Sequence, residues 1–294
     1  MTLRAPYPYF GGKSRAASLI WERFGDVANY VEPFAGSLAV LLARPTEPRI
    51  ETVNDLDCHI ANFWRAVQAD PDAVAKWCDW PVNEADLHAR HLWLVQGLPA
   101  HRERMLTEPD YFDAKIAGWW VWGMSTAILG NWLVESGVNA RPHLGPPLGV
   151  HARTRNIHDQ MQVISRRLRT VRVLCGDWSR TVSSIPERMG ITGILLDPPY
   201  LHSVNRDKRL YREESATVAD HVRKWAIANQ DHPLLRIALC GYEGEHAMPS
   251  AWECVEWKAG GMDRIGNGNG ADNVARERIW FSPHCLGGKQ RSLF

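Results

Sequence analysis

The chain has no long hydrophobic run, no closely spaced pair of cysteines and almost no net charge. No stretch of about 18 uninterrupted apolar residues occurs, so we expect no membrane-spanning helix. The first residues lack the apolar core of an export signal, and we therefore expect a cytoplasmic protein. The six cysteines include no CxxC pair, which predicts neither a metal site nor a disulfide framework.

A net charge of +1 does not by itself indicate a nucleic-acid-binding protein. The arginines are nevertheless clustered, within residues 153–155, 166–169 and 206–209. The planar fork of arginine suits bidentate contacts with phosphate, but each cluster is equally compatible with a solvated helix face. Both interpretations stay open on composition alone.

The order of apolar segments predicts an α/β protein. Within residues 29–37 a short strand enters a turn of small residues, and a helix starts at 38; a second strand at 50–55 ends in an acid before another helix. This order is typical of the first half of a doubly wound, mostly parallel, Rossmann-like sheet. Further strands are predicted at 171–174, 191–196 and 234–239, and a terminal β-hairpin at 252–258 and 277–281.

The α/β pattern is interrupted between residues 72 and 165. Helical stretches such as 73–80 and 113–127 are joined there by connections rich in proline and glycine. We interpret 72–165 as an inserted, mainly helical domain, and 1–71 with 166–294 as the sheet domain around it. Trp119, Trp120 and Trp122 in the insertion are either core residues or stacking surfaces.

The first two strands predict a nucleoside site. Gly36, in the turn after the first strand, permits close approach of the backbone to a ligand. The turn contains neither a GxGxxG run nor a P-loop lysine, so a diphosphate is not the obvious ligand. Asp55, about 20 residues later, suits the two hydroxyls of a ribose, although an aspartate before a helix is also a common N-cap.

The run Asp197-Pro198-Pro199-Tyr200 follows an apolar strand. Its carboxylate can accept a proton of an amine, the prolines stiffen the turn, and the tyrosine can stack on a nucleobase for about 1–3 kcal/mol. The run therefore predicts a site that holds a flat, amine-bearing ring and presents its nitrogen for methylation.

Four motifs occur in one order, namely aromatic-x-Gly-Gly-Lys at 9–13, Glu-Pro-Phe-x-Gly at 32–36, Asn-Asp at 54–55 and Asp-Pro-Pro-Tyr at 197–200. With them the chain resembles the adenine-N6-specific DNA methyltransferases of the Dam kind, the D12 class, in the α-group order of motifs. The resemblance covers about residues 5–70 and 170–285. It implies S-adenosyl-L-methionine as cofactor and double-stranded DNA as substrate, with methyl transfer to N6 of a flipped-out adenine.

The resemblance also implies roles for individual residues. The catalytic residues would be Asp197, Pro198, Pro199 and Tyr200. The residues that contact the cofactor would be Tyr9, Lys13, Glu32, Phe34, Gly36, Asp55, Asp177 and Asp197. Residues 72–165 and the loop after the catalytic run would read the DNA target, with Asn139, Arg141, Arg206, Lys208 and Arg209 as candidate contacts.

Several alternatives remain. The same chemistry serves cytosine N4, adenine in RNA or a glutamine amide, and the aspartate of the catalytic run favours adenine among these. A catalytically silent DNA-binding subunit of the same fold is a different class of function. The resemblance further suggests a monomer, acting either alone or beside a separate restriction endonuclease, and it leaves the target sequence open.

Overall fold

The computed structural model describes residues 3–9, 11–127, 132–133, 149–152, 156–183, 185, 187–199, 210–257 and 277–287, with residues 210–216 described by their backbone alone. Within these residues the strands are β1 (Asn29–Glu32), β2 (Ile50–Asp55), β3 (Arg172–Cys175), β4 (Thr192–Leu196), β5 (Leu235–Tyr242), β6 (Glu253–Glu256) and β7 (Glu277–Phe281). The helices are α1 (Ala17–Phe24), α2 (Ala39–Leu42), α3 (Cys58–Ala69), α4 (Pro71–Cys78), α5 (Glu84–Thr107), α6 (Ala114–Thr126), α7 (Ile157–Leu168), α8 (Ser179–Val182) and α9 (Leu210–Ala228).

The strands form one sheet in the order β3-β2-β1-β4-β5-β7-β6. Strands β1 to β5 run parallel to their neighbours, whereas β7 lies between β5 and β6 and pairs antiparallel with both. The prediction of an α/β fold with a mostly parallel sheet and an antiparallel C-terminal end is confirmed. The strand order reverses between β1 and β4, and ligands bind outside the carboxyl ends of the strands at such a point.

The local sequence explains where the helices begin and end. In α1, an apolar stripe that includes Ile20 and Phe24 is buried, and the helix ends at Gly25, whose φ of 61° favours glycine. Helix α3 begins after Asp57, whose carboxylate accepts the N–H of His59 at 2.8 Å. Helix α4 has the same design, with Asp70 as N-cap and a proline in its first turn.

Helix α5, like α7 and α8, is an element that the sequence pattern did not predict. It runs for 24 residues with Pro99 inside it, and its buried positions include the polar residues Arg90, His91 and His101. A helix that buries charged and aromatic polar groups has no clear apolar stripe, and so the periodicity is weak. Among the described residues, no helix is long and apolar enough to cross a bilayer.

The helices of the predicted insertion pack directly on the sheet domain. Trp120 and Trp122 of α6 belong to the same buried cluster as Tyr30 of β1 and Trp64 of α3. These two tryptophans are therefore core residues, and Trp119 is half-buried beside them. The shared core places α4, α6 and α7 against α3, while the boundaries of the two domains stay a prediction.

A buried ion-pair network ties β2 to α7. Glu51 is 1% exposed and accepts hydrogen bonds from Arg44 at 3.1 Å and from both Nη atoms of Arg167 at 2.7 and 2.8 Å. Arg167 also donates to the carbonyl of Leu41 at 3.0 Å. Phosphate contact was one interpretation of the arginine cluster at 166–169, and for Arg167 it is wrong because this guanidinium is engaged inside the fold.

We expect Glu51→Ala to lower the free energy of unfolding by about 3–5 kcal/mol, because the change leaves two buried guanidinium groups without their carboxylate. Urea unfolding followed by circular dichroism measures the change. The matched control is Glu47→Ala, at an exposed position between α2 and β2. For this variant we expect a loss of unfolding free energy of about 0.5 kcal/mol or less. A similar, small loss for both variants would show that the network contributes little.

Candidate active site

The site lies where β1 and β4 part at the carboxyl end of the sheet. Glu32 is the last residue of β1, Asp55 the last residue of β2, and Asp197 follows β4 directly. Lys13 reaches the same edge from the segment that precedes α1. The fold therefore gathers the motifs at 9–13, 32–36, 54–55 and 197–199 on one edge.

The central contact is an ion pair between Lys13 and Asp197. The Nζ atom of Lys13 lies 2.8 Å from Oδ2 of Asp197 and donates to the carbonyl of Gly11 at 2.6 Å. It also lies 5.6 Å from the centroid of the Trp257 ring. Burial lowers the pKa of Lys13, but the negative charge of Asp197, its hydrogen bond and the nearby Cys240 and Glu277 together more than offset burial, and the pKa is raised above its usual value. The lysine is therefore a charged ammonium beside a partly exposed carboxylate.

Glu32 has a different environment. Its carboxyl group is buried and accepts the hydroxyl of Tyr30 at 3.0 Å. Burial raises the pKa of Glu32 to about 8, the hydrogen bond from Tyr30 opposes this shift, and the charge of Asp197 reinforces it. Glu32 is thus mostly protonated at pH 7. The contribution of Tyr30 was missed in the sequence, although residues two apart on a strand share a face.

The turn after β1 is fixed around Gly36. Its φ of 43° is left-handed, and a Cβ there would lie 2.5 Å from Cε1 of Tyr9. Its carbonyl accepts the hydroxyl of Tyr7 at 2.9 Å and the indole N–H of Trp64 at 3.0 Å, two contacts that the motifs did not reveal. The ring of Tyr9, 37% exposed, therefore covers the turn from the outside.

Asp55 is held by backbone donors and does not cap α3. Its two carboxylate oxygens accept the N–H groups of Gly36 at 3.0 Å and of Asp57 at 2.9 Å, while Asp57 itself caps the helix. Burial, followed by the charge of Asp57, raises the pKa of Asp55 to about 7 against the effect of these hydrogen bonds. The carboxylate of Asp55 is therefore positioned by the turn and half-buried at its edge.

The residues around the end of β3 complete the carboxyl edge of the sheet. Phe34 stacks on Trp178 with ring centroids 6.3 Å apart. The exposed Asp177 accepts hydrogen bonds from the backbone N–H of Ser179, at 2.9 Å, and from its hydroxyl. Asn54 was not assigned a role from the sequence, yet its amide donates to the carbonyls of Pro33 at 3.0 Å and of Gly176 at 2.9 Å. Asn54 thus joins the ends of β1 and β3.

Other predicted residues are placed less fully. After Asp197, Pro198 is buried and Pro199 is exposed. Six predicted residues lie outside the described residues, namely Tyr200, Asn139, Arg141, Arg206, Lys208 and Arg209. In the described part of the chain, no group of three or more histidine, cysteine or acidic side chains has the arrangement of a metal site.

The residues of this edge fit a cationic nucleoside. Asp55 offers a carboxylate that two hydroxyls can share, and Asn54 Oδ1 is a buried acceptor without a hydrogen-bond partner among the described residues. Two carboxyl groups, Glu32 and Asp197, lie near enough for the charge of one to shift the pKa of the other. A ligand cation beside them would reduce their mutual repulsion.

A family model described as D12 class N6 adenine-specific DNA methyltransferase matches residues 9–88. The match spans three of the four motifs, from Tyr9 and Lys13 through the turn at 32–36 to Asp55, and it ends inside α5. Asp197 lies beyond the matched residues. No curated protein matches the chain.

We expect Glu32→Gln to flatten the pH dependence of stability. Between the unfolded pKa of 4.5 and the folded pKa of about 8, the folded protein keeps a proton that the unfolded chain has lost. The stability contributed by this proton is full below pH 4.5 and falls as the pH rises to 8. Urea unfolding at pH 5, 6.5 and 8 should show the stability of the variant gaining on that of the unsubstituted protein by roughly 3–4 kcal/mol across the series.

Glutamine keeps an oxygen acceptor for Tyr30, so the comparison isolates the charge. Asp55, with its own raised pKa, leaves part of the slope in place. The matched control is Glu47→Gln at an exposed position. Parallel pH profiles for Glu32→Gln and the unsubstituted protein would contradict a buried, protonated Glu32.

Proposed function

We propose that this chain, a member of the D12 class of N6 adenine-specific DNA methyltransferases, uses the edge around Lys13 and Asp197 to methylate adenine N6 in DNA. Membership of this class implies S-adenosyl-L-methionine as methyl donor. The observation that carries the proposal is the Lys13–Asp197 ion pair, because it joins the matched N-terminal region to the unmatched Asp-Pro-Pro-Tyr run in one site.

Residues of β1, β2 and β3 would hold the cofactor. Asp55 would accept the two ribose hydroxyls, Gly36 would let the backbone approach the methionine part under the ring of Tyr9, and Glu32 would lie near the cationic end. Phe34 would line the same wall. We place Asp177 near the cofactor adenine through its backbone, because its carboxylate is already bonded to Ser179.

When bound, S-adenosyl-L-methionine supplies an electrophilic methyl group on a sulfonium. Asp197 would accept one N–H of adenine N6, and the carbonyl of Pro198 would accept the other. These two bonds would draw the nitrogen toward a tetrahedral shape, so that its lone pair points at the methyl carbon, and the proton that the methylated nitrogen loses would leave through the acceptor at Asp197 to solvent. Positioning of this kind lowers a barrier by several kcal/mol without a strong base.

Lys13 would act as a positioning residue. Its ammonium lies 2.8 Å from Oδ2 of Asp197 and would hold the carboxylate in the orientation that accepts the substrate amine. Because Lys13 is itself held by the carbonyl of Gly11, the carboxylate keeps its orientation before the base arrives. Preorganised groups of this kind avoid reorganisation during the reaction.

The base must leave the duplex to reach this edge, and Tyr200 would then stack on it. Target reading would fall to residues 72–165 and to the loop after the catalytic run, with Asn139, Arg141, Arg206, Lys208 and Arg209 as DNA contacts. Asparagine pairs with adenine and arginine with guanine in the major groove. We propose that the chain acts as a monomer, either alone or beside a separate restriction endonuclease.

A catalytically silent DNA-binding subunit is the competing function. Such a subunit has no need for a buried lysine that holds a carboxylate at the cofactor edge, since an unused buried ion pair is a poor source of stability. Adenine in RNA would use the same contacts, so DNA and RNA should be compared as substrates in the assay below.

We expect Asp197→Asn to lower the rate of methylation by about 100-fold or more, because the amide is a weaker acceptor for the substrate N–H and lacks the negative charge that pairs with Lys13. The assay is nucleoside mass spectrometry of unmethylated mixed-sequence DNA after incubation with S-adenosyl-L-methionine. Asp231→Asn, away from this edge, is the matched control. Near-normal formation of N6-methyladenine by a folded Asp197→Asn variant would refute the assignment.

A further inference from the structure

Two cysteines that are far apart in the sequence lie next to each other at the carboxyl end of the sheet, beside the proposed cofactor site. Sγ of Cys58 lies 3.7 Å from Sγ of Cys175. Cys58 is the first residue of α3 and is buried, whereas Cys175 is the last residue of β3 and is half-buried. All six cysteines are free thiols in this structure.

The two sulfurs differ in how easily they ionise. The hydrogen bond from Cys175, and then the guanidinium of Arg102, lower the pKa of Cys58 to about 6 against the effects of burial and of Asp57. The pKa of Cys175 is raised, first by its hydrogen bond with Cys58 and then by burial. Burial raises the pKa of each of the other cysteines, which are Cys78, Cys240, Cys254 and Cys285. Cys58 is thus the more nucleophilic sulfur, and Cys175 is the neighbouring thiol that can react with its oxidised form.

Cys58 and Cys175 adjoin the residues that hold Asp55 by hydrogen bonds. Cys175 is the register partner of Asp55 between β2 and β3, and the N–H of Gly176 donates to the Asp55 carbonyl at 3.0 Å. Cys58 follows Asp57, whose N–H donates to the Asp55 carboxylate. Each cysteine is therefore next in sequence to a residue whose N–H donates to Asp55.

We propose that Cys58 and Cys175 form a site of reversible oxidative modification, in which a peroxide converts the two thiols to an intramolecular disulfide that closes over the Asp55 turn. The thiolate of Cys58 attacks one oxygen of hydrogen peroxide, the O–O bond breaks and a sulfenic acid forms. The hydroxide that leaves takes up the proton that Cys58 lost on ionising, and one water results. The sulfur of Cys175 then attacks the sulfenic sulfur, and its proton leaves with the hydroxide as a second water. The two thiols supply the two electrons that reduce the peroxide.

The geometry needs a small movement with a consequence for Asp55. The sulfurs must close from 3.7 Å to about 2.0 Å. This draws the first turn of α3 toward β3, and the turn is bonded to the Asp55 carboxylate through the N–H of Asp57. Resting on the proposed role of Asp55, we expect the disulfide to weaken binding of S-adenosyl-L-methionine by about tenfold or more.

The first experiment measures the disulfide without any cofactor. The reduced full-length chain is treated with equimolar hydrogen peroxide, free thiols are blocked with iodoacetamide, and peptides are mapped by mass spectrometry before and after reduction. We expect a cross-linked peptide that joins residues 58 and 175, and its loss on reduction with dithiothreitol. Cys58→Ser and Cys175→Ser should both abolish it, while Cys254→Ser, which removes an exposed cysteine, should retain it.

Absence of the 58–175 peptide from a folded, oxidised chain would overturn the proposal, as would irreversible oxidation of Cys58 to a sulfonic acid or links only through Cys254. The second experiment titrates S-adenosyl-L-methionine into reduced and oxidised protein by calorimetry. Weaker binding that dithiothreitol restores supports the coupling, and equal affinities overturn it. Failure of the reduced protein to bind the cofactor would refute the proposed function and leave the disulfide result standing.

Discussion

A buried lysine ammonium requires a carboxylate partner, and in this chain the resulting ion pair joins the two halves of the site. Lys13 precedes the sheet, and Asp197 follows its fourth strand, with their charged atoms 2.8 Å apart. An unpaired buried charge costs several kcal/mol, so the segment at 9–13 can settle only where β4 ends. The position of Tyr9 over Gly36 depends on the same placement, since both aromatic and lysine belong to that segment.

Three acids at one edge of the sheet differ because their surroundings differ. Glu32 is buried beside the hydroxyl of Tyr30 and stays mostly protonated near pH 7, whereas Asp197 faces a lysine. Asp55 is half-buried, accepts backbone N–H groups and has a pKa of about 7. Such a division of environments is typical of sites that assign separate roles to similar groups. It supports one acid for the substrate amine, one for the ribose and one near the cation.

The sequence predicted the strands well because apolar runs and small-residue turns are local features, and it predicted which motifs would meet because parallel strands end at one edge. It failed where the cause is long-range. The partner of Arg167 is a glutamate 116 residues away, and no local pattern pairs the two residues. Helix α5 has no clear apolar stripe in the sequence because it buries histidines and an arginine. Asp57, and not Asp55, accepts the N–H of His59 and caps α3. This arrangement depends on a turn whose shape no motif specifies.

The central claim is that Lys13 fixes Asp197 for methyl transfer, and a single-turnover rate tests it most directly. Lys13→Met keeps the length and the buried volume of the side chain but removes the charge. With cofactor and unmethylated DNA both saturating, we predict a rate constant about 100-fold below that of the unsubstituted protein, with N6-methyladenine as the product measured. A rate constant within twofold of the unsubstituted value, in a folded Lys13→Met variant, would contradict the account.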